Sequence, residues 1–249
     1  MKILVCRPHN DAVNLTEKLC ANGLLAVSLP TIKICYQKIT ESVLDYTSLV
    51  FTSKYAVESL FSQYPIDLFK NKKIYSVGAS TAAILEKYQL AAIYPVRHGS
   101  QELLDIILNQ DISKEKFAII SGVSGNNLLL EELSKLTHCH KFETYLRVFI
   151  DLYELLDTYN KLFLHNQPDI IIATSLDVFK SLNRIFEKIT TPKAATITIT
   201  SLKMLKFVNQ QGFKNTLKLE KLDNSYICQR ILEFTEAKDV NRKKHPATK

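Results

Sequence analysis

Apolar residues in this chain come in short runs, and most runs lead into a stretch with helical period. Residues 49–61, LVFTSKYAVESLF, set the pattern. Leu49 to Phe51 is apolar, Thr52 and Ser53 are small hydroxyl residues, and Tyr55, Ala56, Val57, Leu60 and Phe61 share one side of a helix. Such a segment predicts strand, polar turn, helix. In an open parallel sheet that turn lies at the carboxyl end of the strand, where ligands bind. Residues 170–182, IIIATSLDVFKSL, repeat the unit: Thr174-Ser175 follows the apolar run, and Ser181-Leu182 repeats Ser59-Leu60. The recurrence points to two similar halves facing one site. Ser53 and Ser175 equally fit plain helix N-caps, a role serine fills very often.

The same alternation runs along the whole chain. Strands are predicted near 2–6, 24–29, 31–36, 48–51, 73–77, 92–94, 117–120, 141–150, 170–173, 195–200 and 216–219. Helices are predicted between them, including a short one over 41–46 and a last one ending near 235. The chain has only six glycines, and every one falls at a predicted junction, so turn chemistry agrees with periodicity. Gly23 fits the left-handed position just past a helix. Alternating strands and helices predict an α/β fold. The strand number suits two flavodoxin-like lobes with parallel sheets, joined by a two-stranded linker around a cleft. One lobe would be 38–143 and the other 1–33 with 151–249. Residues 34–37 and 144–150 would be the linker strands, with hinge motion between lobes. Residues from about 238 have little apolar content and predict a solvated, disordered tail.

Composition narrows the partners. With 249 residues and 46% hydrophobic content the chain can bury a real core. No apolar run approaches the ~20 residues of a membrane span. The opening MKILVCRP reads as an immediate strand, without the apolar region and cleavage site of a signal peptide, so a cytoplasmic monomer is expected. Five scattered cysteines and no CxxC predict reduced thiols. His138-Cys139-His140 resembles a metal site, but neighbours in a strand point to opposite faces and the ligand spacing is missing, so no metal is expected. The formal charge of +7 and the isoelectric point near 9.0 favour an anionic partner. There is no arginine-rich helix, zinc finger or basic-aromatic RNA motif, so a small molecule rich in carboxylate or phosphate is preferred to nucleic acid.

The predicted ligand-facing turns offer Arg7, Thr52, Ser53, Ser80, Thr81, Ser100, Ser124, Asn126, Ser175, Ser201 and Ser225. These are neutral donors and helix N-termini with one cation, a set suited to carboxylates or phosphates. The turn SGVSGN at 121–126 lacks the lysine of a Walker loop and the spacing of a dinucleotide turn. His9 and His98 lie near turns without a paired nucleophile and read as solvated loop residues. Asp11 and Asp223 read as caps.

The order of these features resembles the uroporphyrinogen-III synthase family. The resemblance covers nearly the whole chain. It includes Arg7-Pro8 after the first strand, Leu29-Pro30, Phe51-Thr52-Ser53, and Val77-Gly78-Ala79-Ser80-Thr81-Ala82. It continues through Gly99-Ser100, Gly122 to Gly125, Tyr145-x-Arg147 and Thr174-Ser175. Ser121 and Asn126 stand where many members carry arginine, and residues 198–201 replace a more usual Gly-Pro-Thr-Thr turn. The family's substrate is hydroxymethylbilane, a linear tetrapyrrole bearing acetate and propionate groups. Its reaction closes the ring with loss of water and inverts the last pyrrole through a spiro intermediate, without metal or cofactor. The bilane closes unaided to the wrong isomer, so the protein mainly imposes a conformation, and positioning can supply about 7–11 kcal/mol. The resemblance assigns Tyr145 as the proton donor to the departing hydroxyl, a task a phenol can perform. Two other classes fit the same residues: a non-enzymatic two-lobe binding protein for an anionic small molecule, and a degenerate member acting as an interaction module through its basic tail.

Overall fold

A computed structural model describes residues 1–164 and 166–244. Along the chain run β1 (Lys2–Cys6), α1 (His9–Ala21), β2 (Leu25–Ser28), β3 (Ile32–Tyr36), β4 (Ser48–Phe51) and α2 (Lys54–Phe61). Then come β5 (Lys73–Ser76), α3 (Ala79–Lys87), α4 (Ser100–Leu108), β6 (Phe117–Gly122), α5 (Leu128–Leu133) and β7 (Cys139–Phe149). The chain continues with α6 (Leu152–Leu162), β8 (Ile170–Ala173), α7 (Leu176–Phe186), β9 (Thr196–Ile199), α8 (Leu202–Gln210), β10 (Thr216–Lys218) and α9 (Asn224–Lys244). Two compact units result. One comprises residues 1–33 and the chain from 148 onward, the other residues 34–147. The chain passes between them within β3 and β7.

The first unit carries the sheet order β10-β9-β8-β1-β2, and its four neighbouring pairs are parallel. This is the flavodoxin-like order, with the switch point between β1 and β8. Both faces are covered, which explains why its strands are continuous apolar runs. Ile3 and Val5 of β1 pack with Leu15 and Leu19 of α1 and Ile227 and Ile231 of α9. Leu4 and Cys6 point the other way, onto Tyr159 of α6, Phe179 of α7 and Met204 of α8.

The second unit carries the order β3-β7-β6-β4-β5. Its β4, β5, β6 and β7 pair in parallel, with the switch point between β4 and β6. Leu49 and Phe51 face Leu60, Phe69 and Leu85, while Val50 faces Leu103, Ile107 and Leu133.

The two copies of the repeated unit use their second serine alike. Ser59 of α2 is buried and shares a hydrogen bond with Thr144 Oγ1 of β7. Ser181 of α7 is buried and donates to the Thr31 carbonyl at 2.7 Å. Each ties its helix to a segment next to a chain crossing.

Four expectations change, the first being the strand expected at 92–94, which is a single parallel bridge between Ile93 and Tyr75. Residues 41–46 form turns rather than a helix, because the Ser42 hydroxyl takes the Leu44 N–H at 3.3 Å and competes with the helical ladder. Asp11 lies in the first turn of α1, whose N-cap position is Pro8, rather than at the cap itself. Helix α9 runs on to Lys244, since no glycine or proline interrupts residues 224–244, and residues 245–249 of the expected tail lie outside the described residues. Asp223 does cap α9, accepting from Tyr226 N at 2.8 Å. Gly23, with φ +78°, closes α1 in the left-handed region that a side chain disfavours.

Candidate active site

Thr52 and Ser53 leave the carboxyl end of β4, and Ser121 and Gly122 end β6 beside it. Thr52 N and Oγ1 both donate to the Ile120 carbonyl, at 3.1 and 3.2 Å, which keeps the two strand ends together. An open α/β sheet forms a crevice at this switch point. Here it is a pocket of about 340 Å³, lined by Thr52, Ser53, Val77, His98, Ser100, Ser121, Gly122, Ser124, Gly125, Asn126, Tyr145 and Arg147.

Tyr145 forms part of the wall. Its side chain is buried, 2% exposed, with its ring edge-on to Tyr55 at 5.7 Å between centroids. The phenol oxygen lies 2.9 Å from Ser53 Oγ, and Arg147 Nη2 donates to it at 3.2 Å. The Arg147 guanidinium also stands 5.5 Å from the Tyr145 ring centre. Ser53 Oγ caps α2 by accepting the Ala56 N–H at 3.2 Å. Between the two hydroxyls there are two proton arrangements. If Tyr145 donates to Ser53, the serine proton is free for a ligand. If Ser53 donates to Tyr145, the phenol oxygen accepts twice and its own proton is free. Either way the pair presents one neutral donor, and Arg147 steadies negative charge on the phenol oxygen.

Two local features aim the phenol. β6 and β7 pair residue for residue as far as Ser121 with Glu143, and then Gly122 stands opposite Tyr145. Thr144 is therefore an extra residue, and Thr144 and Tyr145 are both buried where alternation would turn one outward. Gly122 supplies the space: a Cβ there would lie 2.6 Å from Tyr145 Cζ.

Of the residues expected from sequence, Thr52, Ser53, Ser100, Ser124, Asn126 and Tyr145 line this pocket. Ser80 and Thr81 occupy the first turn of α3 outside the lining, with Ser80 exposed and Thr81 2% exposed. Ser175 and Ser201 belong to the other unit and cap α7 and α8, each accepting a backbone N–H at 3.2 Å. Ser225 accepts from Lys18 Nζ at 2.8 Å. Arg7, expected as the site's cation, is 6% exposed and donates to Asn224 Oδ1 at 2.6 Å and the Leu222 carbonyl at 3.1 Å. The arginine on the pocket wall is Arg147. Arg147 enters the sequence reading only within the Tyr145-x-Arg147 motif and not among the expected ligand-facing residues, although it lies two residues from Tyr145 on a strand and so shares its face. That reading also took His98 for a solvated loop residue. His98 is exposed, but it lines the pocket and packs so close to Gly78 that a Cβ there would lie 2.2 Å from its Nδ1.

His138, Cys139 and His140 are occupied in packing. His138 stacks on Tyr46, His140 meets Phe142 and lies 3.5 Å from Glu41, and burial pushes the Cys139 thiol up to about 11. Among the described residues no group of three or more His, Cys, Asp or Glu side chains gathers to hold a metal, and no helix is long and apolar enough to cross a membrane.

The chain is similar to proteins of one family. The family model described as Uroporphyrinogen-III synthase HemD matches residues 13–217. A protein of Methanocaldococcus jannaschii is 30% identical over 140 residues, 54% of this chain and 58% of that protein, so less than two thirds of that relative is matched. The uroporphyrinogen-III synthase of Proteus mirabilis is 29% identical over 174 residues, 61% of this chain and 82% of that one. In fold, the chain resembles the Helicobacter pylori uroporphyrinogen-III synthetase, with a TM-score of 0.62 at 15% identity over 94% of this chain and 99% of that one. A mutant Thermus thermophilus uroporphyrinogen III synthase gives 0.57 at 14% identity over 96% and 99%. With the family model spanning most of its length and the two-sheet fold shared, the chain belongs to the uroporphyrinogen-III synthase family.

Proposed function

We propose that this chain closes hydroxymethylbilane into uroporphyrinogen III, losing water and inverting the last pyrrole ring, and that it does so as a cytoplasmic monomer. The observation that carries the reading is Tyr145 on the wall of a pocket lined mainly by neutral donors, within reach of both Ser53 and Arg147. Hydroxyls at strand ends and one arginine suit a substrate whose charges are carboxylates. In this mechanism Tyr145 gives its proton to the terminal hydroxyl, which departs as water. The oxygen left behind bears negative charge beside the Arg147 guanidinium. The proton released when the two pyrrole carbons join restores the phenol. Ser100, Ser124 and Asn126 hold carboxylates within the same pocket, while Thr52, whose N–H and hydroxyl are both given to the Ile120 carbonyl, keeps the pocket floor in shape. Ser175 and Ser201 offer a hydroxyl to a carboxylate at the strand ends of their own unit, since a capping hydroxyl accepts one N–H and keeps its own proton to donate. Arg7 and Ser225 stand at the entrances to α1 and α9; they and the first turn of α3, with Ser80 and Thr81, act mainly by shaping the turns around them.

Incubation with freshly made hydroxymethylbilane, followed by oxidation and separation of porphyrin isomers, tests this reading. The expected product is predominantly isomer III. Isomer I alone, with the bilane still bound, would instead indicate a binding protein without turnover.

A further inference from the structure

We infer that Lys141 and Glu143 form a clamp that holds the pocket's glycine-containing turn in its ligand-ready shape, making both of them positioning residues. The inference rests on the functional reading above. The turn runs from Gly122 to Gly125 and is closed by Gly125 N donating to the Gly122 carbonyl at 3.0 Å. Its third residue, Ser124, has φ +59°, the left-handed region where a side chain is costly and glycine or asparagine is usual. A serine stays there only when its surroundings over-determine the conformation.

Those surroundings come from β7. Glu143 Oε1 accepts the Ser124 N–H at 3.1 Å. Lys141 Nζ donates to the Gly125 carbonyl at 3.0 Å and to Asn127 Oδ1 at 2.8 Å. The two side chains also meet each other, 3.3 Å apart. The second half of the turn is thus held on both sides, through the Ser124 N–H and through the Gly125 carbonyl, by two residues on one face of one strand. The Lys141 side chain is 8% exposed, so its ammonium sits among these acceptors rather than in water. Neither Lys141 nor Glu143 lines the pocket, whereas Gly122, Ser124 and Gly125 all do. The same β7 strand carries Tyr145, so one strand both presents the phenol and fixes the turn opposite it.

Lys141→Met and Glu143→Ala, with Glu143→Gln as the conservative variant, test the clamp. Two measurements are made: steady-state turnover of hydroxymethylbilane, and amide hydrogen exchange of the turn in the unliganded protein. Lys141→Met and Glu143→Ala should raise KM roughly tenfold with kcat within about twofold, because positioning of substrate is loosened while Tyr145 stays in place. Exchange at Ser124 should speed up by about tenfold or more, with that of β4 unchanged. Glu143→Gln keeps an oxygen for the Ser124 N–H and should stay close to wild type in both. Unchanged exchange in both Lys141→Met and Glu143→Ala would overturn the clamp, as would a fall in kcat at constant KM. Should the wild-type protein produce no isomer III, the functional reading falls, and the exchange measurement alone decides the clamp.

Discussion

Tyr145, with Arg147 donating to its phenol oxygen, is the residue of the site most open to test. Its hydroxyl is one donor in a pocket whose main work is to hold a conformation, so its removal should slow the reaction without abolishing it. General acid assistance commonly contributes about 10²–10⁴-fold, and Tyr145→Phe should fall near the lower end. The products should remain isomer III, because ring inversion depends on how the bilane is held. Turnover and isomer ratio of the variant check this, and an unchanged rate would leave Tyr145 as a packed strand aromatic. Tyr145 itself was legible through the family resemblance. Its partners were less so: the spacing of Arg147 from Tyr145 along one strand was a local signal, whereas nothing local shows that Arg7 folds onto Asn224.

Helix starts differ from one element to the next. α2, α7 and α8 open on serines whose hydroxyls accept a backbone N–H three residues on. α3 and α4 open on glycines with no side-chain cap. Ser175→Ala should therefore cost about 1 kcal/mol of stability as a lost cap, a fall of about 2–4 °C in Tm. If Ser175 also donates to a substrate carboxylate, product affinity should fall by a further two- to tenfold or so, the worth of one neutral hydrogen bond. Anaerobic product titration beside thermal melting separates the two roles. A lowered Tm with unchanged affinity would make Ser175 a cap alone. Cap serines were readable from sequence because the signal is local, but whether a cap also meets a ligand is not local.

For the molecule as a whole, tyrosine burial sets an alkaline limit. Loss of water around the phenol, reinforced by the Glu58 carboxylate 3.1 Å away, pushes Tyr36 up to about 12 from an ordinary value of 10.0, although 45% of that residue stays exposed and solvent screens its share of the effect. Burial likewise raises Tyr46, Tyr75 and Tyr159. A folded-state value above the unfolded one means the folded protein holds its proton more tightly. The stability from these phenols is complete below pH 10.0 and is lost as pH rises from there toward about 12. Tm should accordingly decline across that window, and tyrosinate absorbance should appear in step with unfolding. Full tyrosine ionisation with Tm unmoved would show that these phenols are open to solvent.

The sequence by itself determined the alternation of strands and helices, the strand-turn-helix repeat at 49–61 and 170–182, and the placement of glycines at junctions. These follow from short-range physics: burial on both faces of a parallel sheet demands unbroken apolar runs, and helix ends demand partners for free N–H groups. Only the tertiary structure decided which strands are neighbours, that the pocket opens where β4 meets β6, and that Ser53 meets Tyr145, 92 positions away. It also decided the extra residue at Thr144 that turns Tyr145 inward, and the clamp of Lys141 and Glu143 on the turn at Ser124. Register and side-chain meetings of this kind depend on how whole elements pack, and a one-residue slip in a strand reverses every face.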